Sequence, residues 1–226
     1  MKNIFKQKVF LIATLLACIL CMNTTICYAT NVNADCYGAV YLDGDSTGNA
    51  TTAYNACDNM GYNSYLELNN TAEFAYTYLP YSSIYYFQGH GNKGITWFYN
   101  NNQMLGFTAK NSGWAISNYS SSQLSGTKLA LFLACETGST DTTYGNLVDQ
   151  AISKGAKCAI GFTDIINQAC TVTWNDTFWG GIEGGQSIYD SCIAATYQTY
   201  YVHNSYGNLN ARYMKGSTGQ ILSTGP

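Results

Sequence analysis

The sequence predicts an α/β fold in which a mostly parallel central sheet is flanked by helices. Two short apolar runs bounded by glycines, SIYYFQ at residues 83–88 and LALFLA at residues 129–134, are typical of buried parallel strands. Along the chain, strand-like runs alternate with segments whose apolar residues recur at helical spacing, and this alternation is typical of a sheet covered by helices. The 226 residues are enough for one domain with a substantial core.

The first half of the chain contains several short elements besides the strand at residues 83–88. Thr52 is predicted to cap a helix that Gly61 ends, and residues 72–78 are predicted as a short helix that stops before Pro80. The further predicted strands, of which the last two form a β-hairpin around an Asn-rich turn, are residues 39–42, 65–68, 94–99 and 104–108.

The second half of the chain continues the alternation. Apolar residues recur at helical spacing over residues 147–152, and Gly155 is predicted to end that helix. Ser187 and Asp190 form a capping box before a final long helix. The predicted strands are residues 156–162 and 211–214, and the predicted breaks before the final helix are the glycine pairs at 180–181 and 184–185.

Each of the two apolar strands ends in a reactive residue. The strand at residues 83–88 runs into a Gly-His-Gly segment at 89–91, and the strand at residues 129–134 runs into Cys135. Open α/β sheets place their chemistry beyond the carboxyl ends of the parallel strands, so His90 and Cys135 are expected at the same edge of the sheet. A thiol and an imidazole that manages its proton predict an enzyme with a cysteine nucleophile.

These strand ends resemble the motifs of the caspase-like (clan CD type) cysteine peptidases, a group that includes gingipains, clostripain, separase and the CHAT domains. In that group a hydrophobic strand ends in His-Gly, and roughly 50 residues later another ends in Ala-Cys. FQGHG at residues 87–91 and FLAC at residues 132–135 match this pattern, and the CETG continuation is most similar to the CHAT, gingipain and clostripain side. The resemblance implies a caspase-like α/β/α sandwich and a cysteine endopeptidase with Cys135 as nucleophile and His90 as general acid/base. It also implies that the backbone N–H groups of Gly91 and Cys135 hold the oxyanion.

Aspartates are predicted to bind the substrate side chain that precedes the scissile bond, the P1 residue. Asp43 and Asp45 follow the first predicted strand and Asp164 follows a later one, so each is expected to face the crevice at the carboxyl edge. A carboxylate there favours a basic P1 residue, which gingipain- and clostripain-like relatives also prefer. Arg212, the one arginine of the sequence, lies near the carboxyl terminus, distant along the chain from both strand ends, which disfavours an acidic P1 residue. Asp164 is the preferred candidate, and for each aspartate a turn or capping role stays open.

The amino-terminal segment has the features of a secretory signal peptide. Residues 1–29 contain three lysines, then an apolar run, then small residues before a predicted cleavage site after Ala29. The apolar run of about 14 residues is shorter than the roughly 20 that a spanning helix needs, which disfavours a membrane anchor. A lipoprotein signal at Cys18 is a further alternative. Residues 30–226 are then predicted to be one secreted, extracellular peptidase domain without membrane contact.

The composition restricts the partners of the chain. Charged residues make up 10% of the sequence and the net charge is −3, so no basic face is expected for nucleic acid, and a polypeptide is the predicted substrate. No metal-ligand spacing is present, so no metal or other cofactor is predicted. In an oxidising compartment, disulfides are predicted between Cys36 and Cys57 and between Cys170 and Cys192, whereas Cys158 is predicted to be a core residue.

Two other function classes remain open at the level of sequence. One is a secreted caspase-like domain that binds a partner or a glycan without cleaving it, since the 20 tyrosines offer stacking surfaces. The other is a different thiol enzyme, an amidase or a transpeptidase, that uses the same cysteine and histidine. The order of histidine before cysteine, and the hairpin between them, favour the peptidase.

Overall fold

The structure of the chain is a computed structural model that describes residues 32–39, 47–100 and 103–223. The predicted signal peptide, most of the strand predicted at residues 39–42, and both Asp43 and Asp45 lie outside these ranges. Within the three ranges, no helix combines the length and the apolar character that crossing a membrane would need.

Strands and helices alternate along the described chain, as the sequence predicts. The strands are β1 (Asn33–Gly38), β2 (Asn63–Leu68), β3 (Ser82–Gln88), β4 (Gly91–Asn92), β5 (Ile95–Asn100), β6 (Gln103–Thr108), β7 (Leu129–Leu133), β8 (Cys158–Phe162) and β9 (Arg212–Gly216). The α-helices are α1 (Thr47–Asn59), α2 (Ala72–Tyr78), α3 (Leu147–Ser153), α4 (Gln168–Glu183) and α5 (Ile188–His203). Two short 3₁₀ helices span Leu79–Tyr81 and Ile116–Asn118.

Six strands form the central sheet in the order β2-β1-β3-β7-β8-β9. The first five run parallel, and β9 pairs antiparallel with β8 at the edge. Every residue of β3 and of β7 is buried, which explains why both strands are continuous apolar runs instead of alternating ones. Their register pairs Ile84 with Leu129 and Gln88 with Leu133, so the two strands end side by side.

Helices cover both faces of the sheet, and each face has its own apolar core. Helices α1, α4 and α5 pack on one face, where Ile84 and Tyr86 of β3 point. Helices α2 and α3 and the β5–β6 hairpin pack on the other face, against Tyr85 and Phe87. Because successive side chains of a strand point to opposite faces, β3 contributes to both cores and is held rigidly between them. The mostly parallel sheet flanked by helices confirms the predicted fold class.

Two elements differ from the sequence-based expectation. The strand β1 lies just before the run predicted at residues 39–42, and it was not predicted because its sequence NADCYG carries no apolar pattern. Its buried Asp35 accepts a hydrogen bond from the Ser82 hydroxyl. The predicted break at Gly180 and Gly181 is wrong, since both residues lie inside α4. A Cβ atom on Gly181 would stand 2.8 Å from the Ser191 Oγ of α5, so this glycine lets two helices pack closely.

The six cysteines of the described residues carry free thiols, so neither predicted disulfide is formed in this structure. The side chains of Cys36 and Cys57 do hydrogen-bond to each other, which joins β1 to α1 inside the core. The second predicted pair, Cys170 and Cys192, likewise consists of two free thiols. Cys158 is a fully buried core residue, as predicted.

Candidate active site

The structure brings His90 and Cys135 to the same edge of the sheet. His90 follows the last residue of β3 by two positions, and Cys135 follows the last residue of β7 by two positions. Because β3 and β7 are paired in parallel and end together, their two following loops leave the sheet side by side. The His90 side chain is exposed and Cys135 is half-buried, so the thiol is sheltered but reachable.

Both side chains line one crevice of about 160 Å³, which we call the active-site crevice. Its walls come from three segments: the end of β3, the end of β7, and the loop and first turn that open α4. The lining residues are Gln88, Gly89, His90, Leu133, Cys135, Ile166, Gln168 and Thr171. The crevice is therefore mostly neutral and is walled partly by a helix that the sequence pattern does not predict.

The turn that carries Cys135 is fixed from inside by Thr137. This buried hydroxyl shares its one hydrogen between the carbonyl oxygens of Phe132 at 2.8 Å and of Ala134 at 3.0 Å, which ties the turn to the end of β7. It also accepts the backbone N–H of Phe162 at 3.3 Å, which ties the turn to β8. The main chain around Cys135 is thus fixed to the ends of two strands.

Glu136, the residue after Cys135, has a left-handed backbone with φ of 55°. Its N–H donates to the carbonyl oxygen of Asp164 at 3.0 Å, and its carboxylate lies 3.6 Å from the ammonium of Lys93 on the loop that follows His90. Such a conformation is costly for a residue with a side chain and persists where neighbours fix it, as they do here. The strained residue redirects the chain sharply at the mouth of the crevice.

Gly91 is the point where the histidine loop touches the cysteine turn. A Cβ atom at this position would lie 2.8 Å from the Ala134 Cβ, 2.8 Å from the Cys135 carbonyl oxygen and 2.9 Å from the Thr137 Cγ2. These separations are shorter than real Cβ atoms show, so only glycine allows the two loops to approach this closely. Glycine at position 91 therefore has a geometric reason, and the role of its N–H in holding the oxyanion stays a prediction.

The electrostatics around Cys135 favour the neutral thiol in the unliganded protein. Burial raises the pKa of the Cys135 thiol above its ordinary value, and the negative charges of Glu136 and Asp164 add to the rise. Hydrogen bonds to the backbone of Ile166 and of Cys135 itself oppose it. The Sγ atom lies 3.9 Å from the Ile166 carbonyl oxygen, to which the thiol donates a weak hydrogen bond. A base is consequently needed to take the proton when the sulfur attacks.

The predicted specificity residues are placed less centrally. Asp164 is exposed on the loop after β8, and its Oδ1 accepts the N–H of Ile165 at 2.7 Å. Its charge reaches the Cys135 thiol, but it is not among the residues that line the crevice. Asp43 and Asp45 lie outside the described residues, so their role stays a prediction.

Gln88 and Thr171 are among the crevice residues that were not predicted from the sequence. Gln88 ends β3 as a polar residue in an otherwise apolar and aromatic run, and that interruption was the available signal. Thr171 lies in the first turn of α4, a helix that was not predicted because Gly180 and Gly181 within it were interpreted as a break. Both side chains are buried, and their hydroxyl and amide groups face each other across the crevice.

Comparison with known proteins agrees with this architecture. No family model and no curated protein matches the chain. Among solved structures it is similar to the Arg-specific cysteine proteinase gingipain R, with a TM-score of 0.61 and 13% identity over 84% of this chain and 46% of that one. A complex of the pro- and mature domains of Porphyromonas gingivalis RgpB gives 0.56 and 14%, over 84% and 47% of the two chains. A structure described as a protease gives 0.62 and 12%, over 88% and 50%.

The chain thus spans about half the length of the solved structures that it matches. At these identities the similarity concerns the fold alone. The chain has the caspase-like α/β fold of the gingipain cysteine proteinases.

Proposed function

We propose that this protein is a secreted cysteine endopeptidase in which Cys135 attacks the peptide carbonyl and His90 acts as general acid/base. The observation that carries the proposal is the shared crevice: two parallel strands end side by side and present one thiol and one imidazole to the same space. The likeness to cysteine proteinases supports it, because the same fold hosts this chemistry there.

The proposed reaction follows from the state of the thiol. Because burial keeps the pKa of Cys135 high, the sulfur attacks as its proton passes to His90. The tetrahedral oxyanion is held by the backbone N–H groups of Gly91 and Cys135. His90 then protonates the leaving amine, which departs and leaves a thioester on Cys135. Water, deprotonated by His90, hydrolyses the thioester and restores the thiol.

The substrate preference and the location are also proposed. A basic P1 residue is supported by the negative charges of Asp164 and Glu136 close to the nucleophile, and Asp43 and Asp45 stay candidates for the same role. The matched gingipain R is named as Arg-specific, which agrees with this preference. Residues 1–29 support secretion by their lysines and apolar run.

The central test uses the protein without residues 1–29 and a library of fluorogenic peptides that varies P1. Wild type is expected to cleave, and Cys135→Ala, His90→Ala and the double variant should fall to a common background, because members of one catalytic unit are not additive. His203→Ala is the matched control, since this second histidine is exposed on α5 and bonds to Thr173 Oγ1 at 2.9 Å, away from the crevice.

A thiol-directed covalent peptide inhibitor with a basic P1 residue should label Cys135 and no other cysteine. Mass spectrometry of the products separates hydrolysis from transfer to an added amine, which a transpeptidase would perform. Full turnover by Cys135→Ala would disprove the proposal. Tight peptide binding without cleavage by wild type would favour the non-catalytic binding domain instead.

A further inference from the structure

The active-site crevice contains a buried acceptor that the proposed reaction does not use. The Gln88 side chain is 4% exposed and lines the crevice two residues before His90. Among the described residues its Oε1 has no hydrogen-bond partner, whereas its Nε2 lies 3.5 Å from the Thr171 hydroxyl. A buried carbonyl oxygen without a donor costs on the order of 1–3 kcal/mol, so its retention beside a nucleophile calls for a ligand.

The orientation of this amide is set by Thr171. The Thr171 hydroxyl has one hydrogen, which it donates to the carbonyl oxygen of Gln168 at 2.6 Å. It therefore only accepts from its other neighbours, which are Gln88 Nε2 at 3.5 Å and Asn49 Nδ2 at 3.4 Å. Turning the Gln88 amide over would bring its oxygen against the lone pairs of Thr171. The nitrogen thus faces Thr171, and Oε1 is left for whatever enters the crevice.

The crevice is sized for one side chain. A cavity of about 150 Å³ accommodates a benzene ring, and the volume here is about 160 Å³. Leu133 and Ile166 supply apolar wall for an aliphatic stem, and the amide of Gln88 supplies the polar end. An occupant with an apolar stem and a tip that donates hydrogen bonds satisfies both parts of the wall.

Charge adds a second requirement. The described lining contains no carboxylate, but the carboxylates of Glu136 and Asp164 are close enough to Cys135 to influence its thiol. A cationic tip is attracted by this pair, of which Asp164 contributes more because Lys93 lies 3.6 Å from the Glu136 carboxylate and offsets part of its charge. An acidic tip would meet both carboxylates and the acceptor oxygen of Gln88. Gln88 therefore supplies a neutral acceptor within the crevice, and Glu136 and Asp164 supply negative charge close to Cys135.

We propose that Gln88 is a specificity-determining residue of this enzyme: its Oε1 accepts a hydrogen bond from the N–H tip of an Arg or Lys P1 side chain, while Asp164 and Glu136 supply the charge. The inference rests on the proposed peptidase function and assigns its P1 contact. In this assignment Gln88 recognises the hydrogen-bond donor of the basic side chain, and Asp164 and Glu136 recognise its positive charge.

The test uses three peptides that differ only at P1. Arginine carries a donor and a charge, citrulline carries the donor without the charge, and norleucine carries neither. Gln88→Met keeps the length of the side chain and removes the acceptor. It is expected to lower kcat/KM by at least about tenfold for the arginine and citrulline peptides, because one hydrogen bond to a buried group is lost, and to leave norleucine within about twofold. Asp164→Asn is expected to lower the arginine peptide alone.

Gln88→Asn is the conservative variant, since its shorter amide keeps both the donor for Thr171 and the acceptor, and it should lose less cleavage after arginine than Gln88→Met. Circular dichroism and iodoacetamide labelling of Cys135 establish that each variant is folded with its thiol accessible. An equal loss for all three peptides would show that Gln88 merely positions His90, and no loss would show that P1 lies elsewhere; either result overturns the inference.

The same comparison is made by binding, so that a failure of catalysis is told apart from a failure of recognition. In the Cys135→Ala background, dissociation constants of the three uncleaved peptides are measured by calorimetry with and without Gln88→Met. Selective weakening of arginine and citrulline binding supports the role of Gln88 even if wild type cleaves no peptide. Identical binding of all three peptides rejects it even if wild type is an active peptidase.

Discussion

The buried carboxyl group of Asp35 predicts a pH-dependent stability that can be measured directly. Asp35 lies in β1 with 5% of its surface exposed and accepts a hydrogen bond from the Ser82 hydroxyl. Burial raises its pKa from 3.8 to about 6; the hydrogen bond from Ser82 opposes the rise, and the negative charge of Glu67 adds to it. In the native protein this aspartate therefore keeps its proton well above the pH at which the unfolded chain releases it.

The size and sign of the effect follow from this difference. Between pH 3.8 and about pH 6 the folded state binds more protons than the unfolded state, so the free energy of unfolding falls as the pH rises. The stabilisation is complete below pH 3.8 and is lost above about pH 6. Because each pKa unit is worth about 1.4 kcal/mol, the loss amounts to about 3 kcal/mol. That is a large part of the 5–15 kcal/mol by which typical domains are stable.

Urea unfolding of wild type and Asp35→Asn, from about pH 4 to about pH 7, measures the effect. Asparagine keeps an acceptor for Ser82 but does not titrate, so its stability relative to wild type should improve by about 3 kcal/mol as the pH rises. Asp58→Asn, which removes an exposed carboxylate from α1, is the control and should keep the wild-type slope. If Asp35→Asn and wild type have the same pH dependence, the burial of the Asp35 carboxyl group does not determine how the free energy of unfolding changes with pH.

Two further predictions concern the nucleophile. Gly91→Ala places a methyl group 2.8 Å from the Cys135 carbonyl oxygen, and the resulting displacement of the turn should lower kcat for the preferred peptide by about 100-fold. Gly113→Ala is the control, because its methyl group meets open space and should leave kcat unchanged. Equal rates for the two variants would refute the close approach. Glu136→Gln removes a negative charge that raises the pKa of Cys135, so iodoacetamide should alkylate the thiol faster at about pH 8; an unchanged rate would remove Glu136 from the electrostatics of the site.

Local patterns in the sequence determined the elements whose signals are local. The apolar runs that form β3 and β7 are buried on both faces, and a strand of that kind can be predicted from its own sequence alone. The capping box at Ser187 is likewise local, since its hydroxyl accepts the N–H of Asp190 three residues later at 3.1 Å. The strand ends then place His90 and Cys135 together, because parallel strands share one carboxyl edge.

Contacts between distant segments decided the rest, and no local pattern reports them. The polar strand β1 exists because both its neighbours pair with it, and α4 continues through Gly181 because α5 packs closely there. Gln88 faces Thr171 across 83 residues of sequence, so the neutral acceptor in the crevice is visible only when β3 and α4 are assembled. The sequence by itself determined that His90 and Cys135 lie at one edge of the sheet, and the tertiary structure decided what surrounds them, since a crevice is built from side chains that meet only after folding.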